Sequence, residues 1–229
     1  MTEATPLLYR ATVFIVIMKN KDYLEIISHY ELCLQRYGDT HLGVDWPKKE
    51  DTDIRYQVML EVIKRGANSA QRKVTLLDFG CGASHLYEYI LTRGIDRICY
   101  SGLDLSEKFI ELSKSKFPGV SYYCVDLLDE GNTIPNFDYI VMNGVCTEKC
   151  TLSFDEMFSY FKQLVKKVFE HAKIGIAFNV MSKHVDWERD DLFHLPIDML
   201  GSFLTREVSR NFVIRHDYRL YEYTTYVYR

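Results

Sequence analysis

The feature that most restricts the fold of this chain is an alternation. From Val74 onward, short apolar runs of strand length give way repeatedly to stretches with helical spacing. Val74–Phe79 precedes a helix-like segment from His85 to Arg93. "RICYSGLD", ending at Asp104, precedes a helix that Ser106 caps and Pro118-Gly119 ends. "VSYYCVD" closes at Asp126 and "FDYIVMN" at Asn143. Ser153 and Glu156 then form a capping box ahead of an apolar stripe running from Met157 to Phe169. "KIGIAFNV" is a fifth strand, about Pro196 to Glu207 a further helix, and the tail two strands reversing near Leu220 to Glu222. Successive βα units require parallel strands with helices on both faces, an α/β fold. Two strands joined without a helix pair antiparallel. Only ten residues separate Asp126 from Phe137. That is short for a parallel crossover, so a single turn is expected in place of a helix.

Two helices precede the alternation: Asp22 to about Tyr37, with Asp22 and Glu25 spaced as a capping box, and Asp53 to Arg65, with Gly66 as the stop. Residues 1–65 are therefore expected to form an N-terminal extension and helical lid over a ligand-binding domain of residues 66–229, the whole one compact unit. With 229 residues, 47% of them apolar, the chain can fill one core. A net charge of −4 gives no electrostatic footprint for nucleic acid. The six cysteines contain no CxxC pair and read as reduced, mostly buried thiols of a cytoplasmic protein. Cys146 and Cys150 lack partner ligands, so no metal is expected. "ATVFIVIM", Ala11 to Met18, is too short to span a membrane and lacks the basic start of an export signal. Residues 1–17 read as an extension or an added strand, with Met18 as an alternative start.

In a doubly wound sheet, ligands bind beyond the carboxyl ends of the strands. Those ends carry Asp78 with the loop "GCG" (Gly80, Cys81, Gly82), then Asp104, Asp126 and Asn143. A glycine loop lets backbone approach a ligand closely, one carboxylate can accept from both hydroxyls of a ribose, and another from an amino group on a base. A nicotinamide dinucleotide would prefer glycine where His85 stands, and its pyrophosphate would be repelled by three acids. S-adenosylmethionine, with a cationic sulfonium and ammonium and no phosphate, suits an acidic rim. Taken in order, "LLDFGCGASHL", "GLDLS", "VDLLD" and "FDYIVMNGV" resemble the motifs of the class I S-adenosylmethionine-dependent methyltransferases over roughly Asp53 to Val180. The resemblance implies a Rossmann-like sheet, mostly parallel and seven-stranded with an antiparallel C-terminal strand. It also implies that Gly80, Cys81 and Gly82 line the methionine moiety and that Asp78 orients its ammonium. Asp104, with Leu105 beside it, would hold the ribose; Asp126 and Leu127 would meet the adenine; Asn143 would lie near the methyl. Ser84 stands where glycine is common in that family.

The acceptor is narrowed by missing motifs. Asn143-Gly144-Val145-Cys146 is not the [DN]-P-P-[YF] of amine methylation on bases, and no Pro-Cys nucleophile or catalytic magnesium pair is present. A hydroxyl of a small molecule or sugar remains. A general base then helps, and two irregular segments each combine His, Asp and Trp: "YGDTHLGVDWP" and "SKHVDWERDDLFHLP". His41 and His184 are the candidate bases; Trp46, Trp187 and His194 are the candidate acceptor contacts. These flanks, with "IRHDYRLYEYTTYVYR", are also similar to bacterial methyltransferases of surface-polysaccharide gene sets. The alternatives are a non-catalytic S-adenosylmethionine-binding module and, less favoured by the residues, a nicotinamide-dependent oxidoreductase.

Overall fold

The structure is a computed structural model, and it describes residues 22–65 and 73–229. The expectations for residues 1–17, Met18 and Gly66 lie outside those residues. Six helices, α1 (Leu24–Tyr37), α2 (Glu50–Arg65), α3 (His85–Thr92), α4 (Glu107–Lys116), α5 (Phe154–Glu170) and α6 (Ile197–Glu207), surround seven strands. The strands are β1 (Val74–Phe79), β2 (Ile98–Leu103), β3 (Ser121–Tyr123), β4 (Phe137–Met142), β5 (Ala172–Met181), β6 (Phe212–Arg215) and β7 (Glu222–Tyr228). They form one sheet in the order β3-β2-β1-β4-β5-β7-β6. The first five pair parallel, and β7 runs antiparallel between β5 and β6.

Alternating side chains make the two faces. On β1, Val74 and Leu76 face α2 and α3, while Leu77 and Phe79 face the side covered by α5 and α6; Tyr139 and Val141 on β4 divide from Ile140 and Met142 in the same way. Both faces are apolar because both are covered, which is why the strands read as continuous runs. The α5 stripe is core packing: Phe161 is fully buried among Phe158, Phe178, Phe193 and Phe203. The capping box at its start forms as read, with the Ser153 hydroxyl accepting from Glu156 N and the Glu156 carboxylate accepting from Ser153. The segment between β3 and β4 holds turns and no helix.

Three readings need correction. The Asp22/Glu25 capping box does not form: α1 starts on Tyr23 with no side-chain cap, and the Glu25 carboxylate instead accepts from the Thr151 hydroxyl. Helix α2 begins at Glu50 and is buried along Val58, Met59, Val62 and Ile63 against the sheet, so it covers the core and adds Tyr56 to the site that α1 overhangs. Only Cys81 and Cys146 are buried; Cys99 and Cys124 are exposed. Cys99 lies on the part of β2 before β3 pairing begins at Ser101, so nothing covers it. All six thiols are free.

Truncating Phe161 to alanine should open a large void among four phenylalanines. The expected loss is about 3–5 kcal/mol of folding free energy, measured by urea unfolding.

Candidate active site

The strand ends build the site through backbone groups. Gly80 N and Cys81 N both donate to the Leu103 carbonyl, at 2.7 and 2.9 Å, which bolts the glycine loop to the end of β2. Gly80 has φ +74°, and a Cβ there would stand 2.5 Å from Val145 Cγ2; the loop needs glycine for conformation and for space. Gly82 N donates to Asp104 Oδ2 and Ser106 N to Asp104 Oδ1, each at 2.9 Å. Ser84 takes the left-handed conformation, φ +59°, a backbone state that glycine adopts without strain. Its buried hydroxyl is held by Ser113 and Tyr122, both at 2.9 Å.

Asp78 is buried and accepts from the Tyr100 hydroxyl at 2.8 Å. Burial, reinforced by the Asp104 charge and opposed by the Tyr100 bond, pushes its carboxyl up to about 7. Burial also raises Asp104, against the pull of the Ser106, Gly82 and Leu105 amides. Asn143, at the end of β4, has a buried Oδ1 with no hydrogen-bond partner. The next residue, Gly144, donates to Asn179 Oδ1 at 2.8 Å; Asn179 donates to Glu222 at 3.0 Å, and Glu222 pairs with Arg55 at 3.0 Å. The Arg55 guanidinium lies 5.0 Å over the Trp46 ring.

These residues surround a cavity of about 960 Å³ of empty space, partly open to solvent. Asp78, Gly80, Cys81, Gly82, Asp104, Leu105 and Asn143 line it from the sheet side. Helix α1 roofs it with Tyr23, Ile27 and Tyr30, and the loop after α1 adds Val44 and Trp46. Tyr23 stacks on Tyr160 at 4.7 Å and its hydroxyl donates to Asp126 Oδ2 at 2.5 Å. Asp126 and Leu127 do not line the cavity: Asp126 stands behind Tyr23, and Leu127 is buried in the core.

The two His/Trp segments part company. Trp46 lines the cavity, but His41 does not; its Nδ1 meets the Trp46 carbonyl at 2.6 Å, so it fixes the tryptophan's backbone. None of His184, Trp187 and His194 reaches the cavity. His184 is exposed and Trp187 is 65% exposed. His194 is buried with Nδ1 2.6 Å from the Ser182 carbonyl, a structural role. Of seven histidines, His85 alone lines the cavity. Its Nε2 lies 2.7 Å from Asp39 Oδ1. Burial works to raise the Asp39 carboxyl, but hydrogen bonds from Lys116 and His85 hold it below its usual range. Tyr23 and Tyr30 were also missed as site residues; seven apart on one helix face, they read as core.

Residues 77–175 match a family model described as a methyltransferase domain. A Mycobacterium tuberculosis protein called "Putative methyltransferase" is 26% identical over 155 residues, 66% of this chain and 90% of that one. The fold is shared with magnesium protoporphyrin IX methyltransferase from Synechocystis, solved with S-adenosylmethionine (TM-score 0.60, 14% identity, 92% of this chain and 98% of that chain). It is also shared with CalS10, an amino pentose methyltransferase from Micromonospora echinaspora (TM-score 0.52, 13% identity, 76% and 91%). The sheet order, with a glycine loop between β1 and α3, is the class I methyltransferase fold. Residues 77–175 are a methyltransferase domain, in a chain whose fold is that of S-adenosylmethionine-dependent methyltransferases. The cavity fits that cofactor: it offers an orphaned amide oxygen, an acidic rim and a loop that a side chain at position 80 would fill.

Because the carboxyl of Asp78 is raised in the folded state, its contribution to stability is present below pH 4 and is lost progressively as pH rises to about 7, where the loss levels off. The charged groups facing it are Asp104 and, when ionised, Tyr56, Tyr100 and Cys81. Asp78→Asn should gain stability relative to the parent between pH 5 and 8, by at most about 1.4 kcal/mol per pH unit. Urea unfolding of both proteins across that range measures it.

Proposed function

We propose that the protein methylates a hydroxyl of a small molecule or sugar, with His85 as the general base. The carrying observation is the single histidine in the cavity, held by a carboxylate kept below its usual range, in a site that Tyr30, Trp46 and Tyr56 also line. When bound, the cofactor supplies an electrophilic methyl group. The chain then has to orient an acceptor, exclude water and receive a proton. Asp104 has two oxygens that each accept one backbone bond and keep a further lone pair for ribose hydroxyls. Asp78 sits where a carboxylate would orient the cofactor's ammonium, and Gly80, Cys81 and Gly82 supply the close backbone. Asn143 Oδ1 faces the cavity with capacity to accept. Tyr23 takes the place expected for Asp126 at the adenine end.

The coverage of the cavity by α1 supports a small acceptor, and the net charge of −4 argues the same way against a nucleic acid. Solved relatives in fold act on a porphyrin and an amino pentose, which supports the size class. No helix among the described residues is long and apolar enough to cross a membrane. Together with six unbridged thiols, this supports a cytoplasmic reading.

Asp104→Ala should weaken S-adenosylmethionine binding by about 1–3 kcal/mol in calorimetry; unchanged affinity in a folded variant would remove the ribose assignment. For the base, an acceptor panel is screened by S-adenosylhomocysteine release. On the acceptor found, His85→Ala should lower kcat by roughly 10²–10⁴ while cofactor affinity holds. A full-rate variant would exclude His85.

A further inference from the structure

Beside the cavity, on the outer side of the roof, the fold gathers a set of ligand-type side chains that the methyl-transfer reading does not use. His29 and Cys33 lie one turn apart on α1, so both point to one side of the helix. Asp45 reaches the same place from the loop after the 3-10 turn His41–Val44, at a left-handed backbone position with φ +56°. His29 Nε2 is 2.8 Å from Asp45 Oδ2 and 3.9 Å from Cys33 Sγ, and one donor atom from each of the three falls within 4.8 Å of the others. Zinc bonds of about 2.0–2.3 Å at tetrahedral angles place ligand atoms about 3.3–3.6 Å apart. The 2.8 and 3.9 Å spacings bracket that range, and the third pair lies within 4.8 Å, so the set closes on an ion by side-chain adjustment.

A second observation points at the same spot. Glu148, in the segment after β4, is 7% exposed, and among the described residues its carboxylate has no hydrogen-bond or ion-pair partner. A buried carboxylate left unpaired is costly. Burial pushes its carboxyl up to about 7, and the charges that act on it are Asp45, Arg189, Asp191 and His29. His29 and Asp45 remain more than a third exposed, which gives an ion a way in.

We propose that His29, Cys33 and Asp45 form a binding site for one zinc-type divalent cation, with the buried Glu148 carboxylate adding negative charge nearby. Imidazole and thiolate ligands select zinc over magnesium or calcium. The cation would join two separate pieces of chain, the roofing helix and the loop carrying Trp46. Tyr30, between His29 and Cys33, already donates to the Gly144 carbonyl at 3.2 Å. The ion would reinforce that contact and set the roof height over the acceptor. Zinc binds the thiolate, so the Cys33 proton passes to the buffer on binding.

The test uses the whole protein, stripped with chelator and titrated with zinc by calorimetry and with cobalt by absorption. One equivalent should bind, and cobalt should give the ultraviolet thiolate charge-transfer band. Cys33→Ser should remove the band and weaken zinc binding by at least roughly tenfold, with circular dichroism unchanged. Cys150→Ser, a neighbouring thiol outside the set, should leave both intact. His29→Gln and Glu148→Gln should each weaken zinc without touching the thiolate band. Failure of the parent protein to bind zinc overturns the site, as does a cobalt band that survives Cys33→Ser or is lost with Cys150→Ser. These readouts need no acceptor, so they stand apart from the fate of the His85 assignment.

Discussion

Four backbone amides converge on the end of one strand. The Leu103 carbonyl receives Gly80 N and Cys81 N, and the Asp104 carboxylate receives Gly82 N and Ser106 N. Each amide would otherwise be an orphan donor in a loop or a first helical turn. Pinning them fixes the glycine loop to β2 before any ligand arrives, so the floor of the cavity is formed in advance and binding need not order it. The positive φ of Gly80, Gly82 and Ser84 follows from that anchoring. The chain must turn sharply enough to place three successive peptide units against one strand end.

A second buried chain of bonds holds the opposite wall. Gly144, Asn179, Glu222 and Arg55 link the ends of β4, β5 and β7 to α2, and Arg55 then covers Trp46. Glu222 comes from the antiparallel strand, so the insertion of β7 beside β5 has a direct bearing on the acceptor side. The apolar roof of α1 closes the space between the two walls.

The alternation of strands and helices was legible because both faces of the sheet are covered, which makes each strand a solid apolar run. Val74–Phe79 is read to the residue. The acids at the strand ends were legible for the same reason: the end of a run is where the site must be. Asp126 shows the limit, since nothing local to "VDLLD" reveals that a tyrosine more than a hundred positions earlier stands in front of it. The loop "SKHVDWERDDLFHLP" matches "YGDTHLGVDWP" in composition, yet only the latter follows the roofing helix and so reaches the cavity. His194 is buried by its bond to Ser182. Composition carries no information on which rim a loop visits. His85 was visible only as a poor glycine, because its partner Asp39 lies 46 positions away.

The placement of the two tryptophans gives the molecule an internal optical probe. Trp46 lines the cavity under the Arg55 guanidinium and beside Tyr56, whereas Trp187 stands in solvent. The two indoles therefore differ in polarity and in access to a collisional quencher such as iodide. Emission that iodide cannot reach belongs to Trp46, and any occupant of the cavity alters that component alone. Filling of the site can be followed in native protein, with no label and no engineered reporter.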